Sequence, residues 1–159
     1  MCINPAARIG DVAVCLRREI REMTLDDVDK FATKLAGVTV GEKWNHRTWM
    51  VEGKGFAWQR PFSKADLKRF GDEVPPAGDI LAVRVENLDA KEALLAIAPA
   101  GFFTIAHFNG YAAVLIALRQ ARAKDVRAAI LDGFRAVVAE TVTAKPRARR
   151  PRRPAAPRS

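Results

Sequence analysis

A nearly continuous apolar run at residues 111–118, YAAVLIAL, is the feature that most constrains the fold. A run of this length without charged residues is typical of a strand buried inside a sheet. It is far shorter than the roughly 18 apolar residues that a membrane-spanning helix requires. The sequence therefore predicts a central strand and no membrane span.

Two amphipathic helices are predicted near the two ends of the body of the chain. Apolar residues recur at steps of three and four in residues 24–36 and again in 123–142, which is the period of a helix with one buried face. Thr24 is suited to cap the first helix, because acidic residues follow it at the positive end of the helix dipole. Gly37 is expected to end that helix.

Strand patterns fill the middle of the chain. Segments 46–52 and 55–60 are extended and are joined by glycines around Lys54, which predicts a hairpin. Segment 81–86 alternates apolar and polar residues, as in a strand with one buried face. A short helix at 64–70 is expected between them.

A further helix is predicted from Asp89 to about Ala98. Asp89 and Glu92 have the D-x-x-E spacing of a capping pattern, and Pro99 cannot continue the helix. Together these elements predict an α+β fold in which an antiparallel sheet is covered by the N- and C-terminal helices.

Composition divides the chain into three parts. Residues 1–22 lack the apolar segment of a signal peptide and are predicted to be an unstructured leader. A second interpretation is that the protein begins at Met23 and that this leader is a misplaced start. Residues 23–142 are predicted to form the domain, and 143–159 a disordered basic tail, because alternating proline and arginine cannot propagate a helix.

Basic residues are concentrated in that tail. The last sixteen residues hold seven of the 27 Lys and Arg and no acid, whereas the other 143 residues carry 20 basic and 18 acidic side chains. Arginine-rich segments bind phosphates by releasing counterions, although a solubilising tail would have the same charge. The nucleic-acid contacts predicted in the tail are Arg147, Arg149, Arg150, Arg152 and Arg153.

The sequence offers no catalytic constellation and no metal site. It contains two serines far apart, and His46 and His107 lack the spacing of metal ligands. Cys2 and Cys15 are too few and too peripheral for a disulfide framework, which favours a reducing compartment. We therefore expect a cytoplasmic, non-enzymatic protein without cofactor or metal.

Aromatic and basic residues alternate around the predicted hairpin. The rings are Trp44, Trp49, Phe56 and Trp58, and the cations are Lys43, Arg47, Lys54 and Arg60. Rings can stack on bases while cations hold phosphates, but strand alternation also places most of these rings in the core. The four cations are predicted to contact a nucleic-acid backbone.

Several segments resemble the MmcQ/YjbR family: MTLDDV (23–28), LAGV (35–38), VEGKGFA (51–57) and FFTIAHFNGYAAVLIAL (102–118). The most specific part is the pattern of Thr104, His107, Gly110 and Tyr111 that leads into the apolar run. The resemblance implies a compact α+β domain of the YjbR/frataxin-like shape and a role in binding DNA. It also implies a family surface formed by Lys54, His107, Asn109 and Tyr111.

The leading expectation is a monomeric protein that binds DNA or another nucleic acid through the hairpin and the basic tail, without sequence specificity. Contacts to phosphate position a protein on nucleic acid but do not specify sequence. The alternative is a small-ligand or protein-interaction module that uses the surface of His107 and Tyr111. Salt dependence separates the two, because phosphate contacts weaken steeply with salt.

Overall fold

The structure is a computed structural model that describes residues 22–144. The predicted leader, apart from Glu22, lies outside the described residues, as do the tail arginines Arg147, Arg149, Arg150, Arg152 and Arg153. In the described range, no helix has both the length and the apolar character needed to cross a bilayer.

The fold is α+β, as predicted. Its helices are α1 (Leu25–Ala32), α2 (Lys64–Phe70), α3 (Leu88–Ile97) and α4 (Ala123–Ala144). Its strands are β1 (Val38–Lys43), β2 (His46–Val51), β3 (Lys54–Gln59), β4 (Ile80–Arg84), β5 (Phe102–Phe103) and β6 (Ala113–Ala117). A 3-10 turn covers Ala106–Phe108.

The six strands form one antiparallel sheet in the order β1-β2-β3-β4-β6-β5. The apolar run supplies β6, which lies between β4 and β5 and is buried along its whole length. The predicted central strand is therefore confirmed. Strands β1 and β5 were not predicted, because β1 contains a glycine and charged residues and β5 has two residues.

One face of the sheet is covered by the N- and C-terminal helices. Val28 of α1 and Ile130 of α4 pack with Trp49 and Phe56 in the larger core cluster. Gly133 allows α4 to approach the sheet, because a Cβ there would lie 2.8 Å from the Arg84 carbonyl oxygen. Packing of α1 and α4 on the sheet therefore buries the apolar faces that the sequence predicts for these two helices.

The opposite face carries a second, smaller core cluster. Ile80, Ala82 and Leu115 point to this face, and Phe108 from the 3-10 turn packs over them with Trp58 beside it. Strand β4 is consequently buried on both faces, whereas its alternation predicted one. Ala82 is small and apolar, so the 3-10 turn that carries Phe108 can cover it.

The helix ends differ from prediction in three places. Thr24 caps α1 and forms a reciprocal capping box with Asp27, but α1 ends at Ala32 rather than at residue 36. The cap of α3 is Asn87, whose side chain accepts from the Ala90 amide at 2.8 Å, so Asp89 does not begin the helix. Helix α4 continues through Ala144, two residues into the predicted tail. The helix at Lys64–Phe70 is confirmed.

Two tight turns join the first three strands. Glu52 and Gly53 connect β2 to β3 with φ of 51° and 74°, which is the left-handed geometry of a two-residue hairpin turn. Lys54 is therefore the first residue of β3 and not the tip of the hairpin. Trp44 and Asn45 connect β1 to β2, again with positive φ (52° and 62°).

Candidate functional site

A concave surface of about 800 Å³ opens on the sheet face that carries the second cluster. We call it the aromatic cleft. Its lining residues are Lys43, Trp44, His46, Trp58, Arg60, Pro61, Phe62, Ser63, His107, Phe108 and Tyr111. None of these lining residues is acidic, so the cleft combines rings and basic groups without a carboxylate.

Ring contacts fix the wall formed by the segment before β6. The Trp58 and Phe108 rings stack with centroids 6.4 Å apart and an interplanar angle of 21°. Tyr111 meets Trp58 edge-on at 6.3 Å and Phe108 at 5.9 Å, and His107 meets Phe108 at 6.0 Å. Edge-on and offset arrangements are those that aromatic pairs prefer.

Arg60 ties the wall to the start of α2. Its guanidinium lies 5.7 Å from the centroid of the Phe108 ring and its Nη2 is 2.9 Å from Oδ2 of Asp66. Ser63 caps α2 and also donates to that carboxylate. Burial opposes ionisation of Asp66, but the hydrogen bonds from Ser63 and Arg60 outweigh it and lower the pKa of Asp66.

The turn between β1 and β2 forms the opposite rim. Trp44 is 84% exposed there, and within residues 22–144 no other ring packs against it. Lys43 precedes it, and its ammonium forms no ion pair with any described acid; its hydrogen bond is to the Gly53 carbonyl oxygen at 3.4 Å. This rim therefore offers a flat ring and a cation whose charge is not offset by any carboxylate of the described part of the chain.

Lys91 supports the cleft from behind and was not predicted. It is buried on α3, and its Nζ donates to the carbonyl oxygens of Phe108 at 2.5 Å and Tyr111 at 3.0 Å. Burial lowers the pKa of Lys91. The available signal was its spacing, since Lys91 lies three residues from both Leu88 and Leu94 and so shares their side of the helix.

Arg47 was predicted to contact nucleic acid, but it lies away from the aromatic cleft. Its Nη1 bridges Asp26 at 3.1 Å and Asp29 at 3.0 Å on α1. The hydrogen bond to Asp26 raises the pKa of Arg47. Asp29 also accepts from the Trp49 indole at 2.6 Å, so this cluster fastens α1 to the sheet.

Lys54 is directed to α4. Its Nζ is 3.1 Å from Oε1 of Glu140, and Arg84 is 3.2 Å from the other oxygen of the same carboxylate. The hydrogen bond from Lys54, with the charge of Arg84, lowers the pKa of Glu140. Arg47 and Lys54 thus contact the covering helices, each paired with an acid.

The structure brings four of the predicted site residues into one place: Lys43, Arg60, His107 and Tyr111. Asn109 is exposed two residues before Tyr111 but does not line the cleft. His46, Phe62 and Phe108 line it and had no assigned role. Their convergence depends on chain reversals between distant segments, so no local pattern indicates it.

Comparison with known proteins identifies relatives. No protein-family model matches the chain. The uncharacterized proteins Rv2570 of Mycobacterium tuberculosis and Mb2600 of Mycobacterium bovis are each 38% identical to it over 114 residues, covering 70% of this chain and 85% of each relative. The chain belongs to their family.

A solved structure shares the fold. The crystal structure of a Pseudomonas syringae protein, determined by a structural genomics consortium, superposes with a TM-score of 0.55 and covers 71% of this chain and 97% of its own. The two sequences are 16% identical, so the likeness concerns the fold. Within residues 22–144 of the present chain, no cluster of three or more His, Cys, Asp or Glu could hold a metal ion.

Proposed function

We propose that this protein binds nucleic acid without catalysing a reaction on it, and that the aromatic cleft is its contact surface in the domain. The observation that carries the proposal is the lining of the cleft, which combines aromatic rings with Lys43 and contains no carboxylate. Lys43 pairs with no acid in residues 22–144, whereas Arg60 lines the cleft but is paired with Asp66. Rings stack on bases of every kind, and cations beside them attract phosphate. The basic residues 145–159 add attraction that does not depend on base sequence.

The family resemblance supports the same proposal. The segment that most resembles the MmcQ/YjbR family supplies His107 and Tyr111 to the cleft wall. We therefore propose that this chain and its mycobacterial relatives are MmcQ/YjbR proteins. We also propose a cytoplasmic monomer, on the basis of the two cysteines and the single predicted domain.

The experiment is a binding titration with fluorescently labelled DNA over a series of salt concentrations, using the full chain and a chain that ends at Ala144. We expect binding at low salt, with a log–log salt slope of about −0.9 for each phosphate neutralised on duplex DNA. Truncation should make the slope shallower. No binding of the full chain at low salt would refute the proposed function.

A small anionic aromatic molecule is the second candidate ligand for the same cleft. The volume of the aromatic cleft, about 800 Å³, lies within the range of roughly 300 to 1,000 Å³ typical of small-molecule sites. This candidate predicts binding of a mononucleotide as tight as that of an oligonucleotide, with little dependence on residues 145–159. The same titrations, repeated with a mononucleotide as competitor, distinguish it.

A further inference from the structure

We infer that the aromatic cleft accepts unpaired bases, so that the preferred polynucleotide is single-stranded; this inference rests on the proposed nucleic-acid function. Its first support is Trp44. The backbone of Trp44 has φ of +52°, which is uncommon for a bulky residue, and the side chain is 84% exposed. Asn and Gly are the residues that such turns favour, so the turn geometry does not account for a tryptophan at this position. Its contribution is a large flat ring displayed at the rim of a cleft.

Tyr111 displays a second ring on the other wall. Its side chain is 48% exposed although Trp58 and Phe108 both contact it edge-on. Lys91 holds the Tyr111 and Phe108 carbonyls from behind. The ring is therefore partly open to solvent and already held in place without a ligand, which reduces the entropy that binding would cost.

The shape of the cleft favours a base over a paired duplex. Paired bases are stacked on their neighbours and offer only their edges in the grooves, whereas unpaired bases offer their faces. Only a base that has left the stack can therefore place its face against the rings that line a concave surface. The phosphates of that strand then run along the rim, where Lys43 lies.

The charge around the cleft also suits a phosphate-bearing strand. The acid that contacts its lining residues Arg60 and Ser63 is Asp66, whose side chain is 2% exposed. That carboxylate is hidden from a bound strand and neutralised by Arg60. A phosphate at the rim thus meets Lys43 without a competing exposed carboxylate from the lining.

The test measures binding of the full chain to an unstructured oligothymidylate and to a duplex of equal length, at one salt concentration, by anisotropy and by tryptophan fluorescence. We expect the single strand to bind more tightly and to quench tryptophan emission. Trp44→Ala and Tyr111→Leu should each weaken single-strand binding about 5- to 150-fold, the range for loss of one base–aromatic stack. Trp44→Phe and Tyr111→Phe keep a ring and should restore most of it.

Ile97→Ala is the matched control, because Ile97 is a large apolar residue, 77% exposed, on α3 outside the cleft. It should leave both affinities unchanged. Equal affinity for single strand and duplex, with no effect of Trp44→Ala, would overturn the inference while the proposed function stands. A mononucleotide that competes as well as the oligomer would also overturn it. If the native full chain bound neither the single strand nor the duplex, both the inference and the proposed function would be overturned.

Discussion

The Arg60 guanidinium lies over the Phe108 ring, 5.7 Å from its centroid. This contact joins the end of β3 to the segment before β6, which are far apart in sequence. The same guanidinium pairs with Asp66 at the start of α2. One side chain therefore fastens three segments around the aromatic cleft, and its charge is balanced by Asp66.

Arg60→Ala is expected to destabilise the fold substantially. The substitution removes the nearer and more buried of the two arginines beside the buried Asp66 carboxylate, and breaking a buried pair from one side typically costs about 3 kcal/mol. The free energy of unfolding in urea measures the loss. Arg69→Ala is the control, since Arg69 is exposed and 3.7 Å from the same carboxylate, and exposed pairs contribute about 0 to 1 kcal/mol. Equal losses for the two variants would contradict this role of Arg60.

Asp66 should make stability sensitive to acid. Its folded pKa is lowered, so the unfolded state binds the proton first and the stabilisation is fully present above the ordinary aspartate pKa of about 3.9. It is lost as pH falls through the lower folded value. We expect the unfolding free energy of the native chain to exceed that of Asp66→Asn at neutral pH. This difference should shrink below about pH 4; a difference independent of pH would contradict the prediction.

The fold was largely predictable because its signals are local. The apolar run gave β6, helical periodicity gave α1 and α4, and Thr24 marked the first cap. The errors have local causes too. The turn was predicted one residue too late, because the Gly53-Lys54-Gly55 triplet contains two glycines whereas the turn residues are Glu52 and Gly53. Asn87 was overlooked because Asp89 begins a better-known capping pattern.

The site was predictable only in part because its members meet through tertiary packing. His107 and Tyr111 entered through a family resemblance, and Lys43 and Arg60 through their place near a hairpin. Charge pattern alone could not separate Lys43 from Lys54, since their pairing depends on whether an acid such as Glu140 faces them across the fold. A sequence shows which cations exist, but not which are already neutralised.

Lys43 and Lys54 are therefore expected to differ in nucleic-acid binding. Lys43→Ala should weaken binding and reduce the salt slope by about 1, as expected for loss of one phosphate contact. Lys54→Ala should leave affinity nearly unchanged, because Lys54 is paired with Glu140 at 3.1 Å and lies outside the cleft. Anisotropy titrations over a salt series measure both. A larger loss of affinity for Lys54→Ala than for Lys43→Ala would indicate that the contact surface lies at the β2–β3 hairpin instead.

Gly133→Ala should destabilise the protein even though alanine favours helices. The added Cβ would lie 2.8 Å from both the Arg84 carbonyl oxygen and Val83 Cγ1, and overpacking of this kind typically costs about 1 to 3 kcal/mol. The gain in helix propensity is about 1 kcal/mol at most. Urea unfolding measures the net change. Asp132→Ala, at an exposed neighbouring position, serves as the control; a stabilised Gly133→Ala would show that α4 lies farther from the sheet.

Lys91 should oppose the usual loss of stability in alkali. Burial lowers its folded pKa, so as pH rises the folded state releases the proton before the unfolded state does. The unfolded state then binds more protons, and stability rises with pH until the ordinary lysine pKa of about 10.4 is passed. The native chain should therefore gain unfolding free energy relative to Lys91→Met as pH rises from about 7 to 11. Comparison with Lys124→Met, an exposed lysine on α4, isolates the effect of burial. A native chain that loses stability relative to Lys91→Met over that range would instead mean that the ammonium charge itself holds the Phe108 and Tyr111 carbonyls.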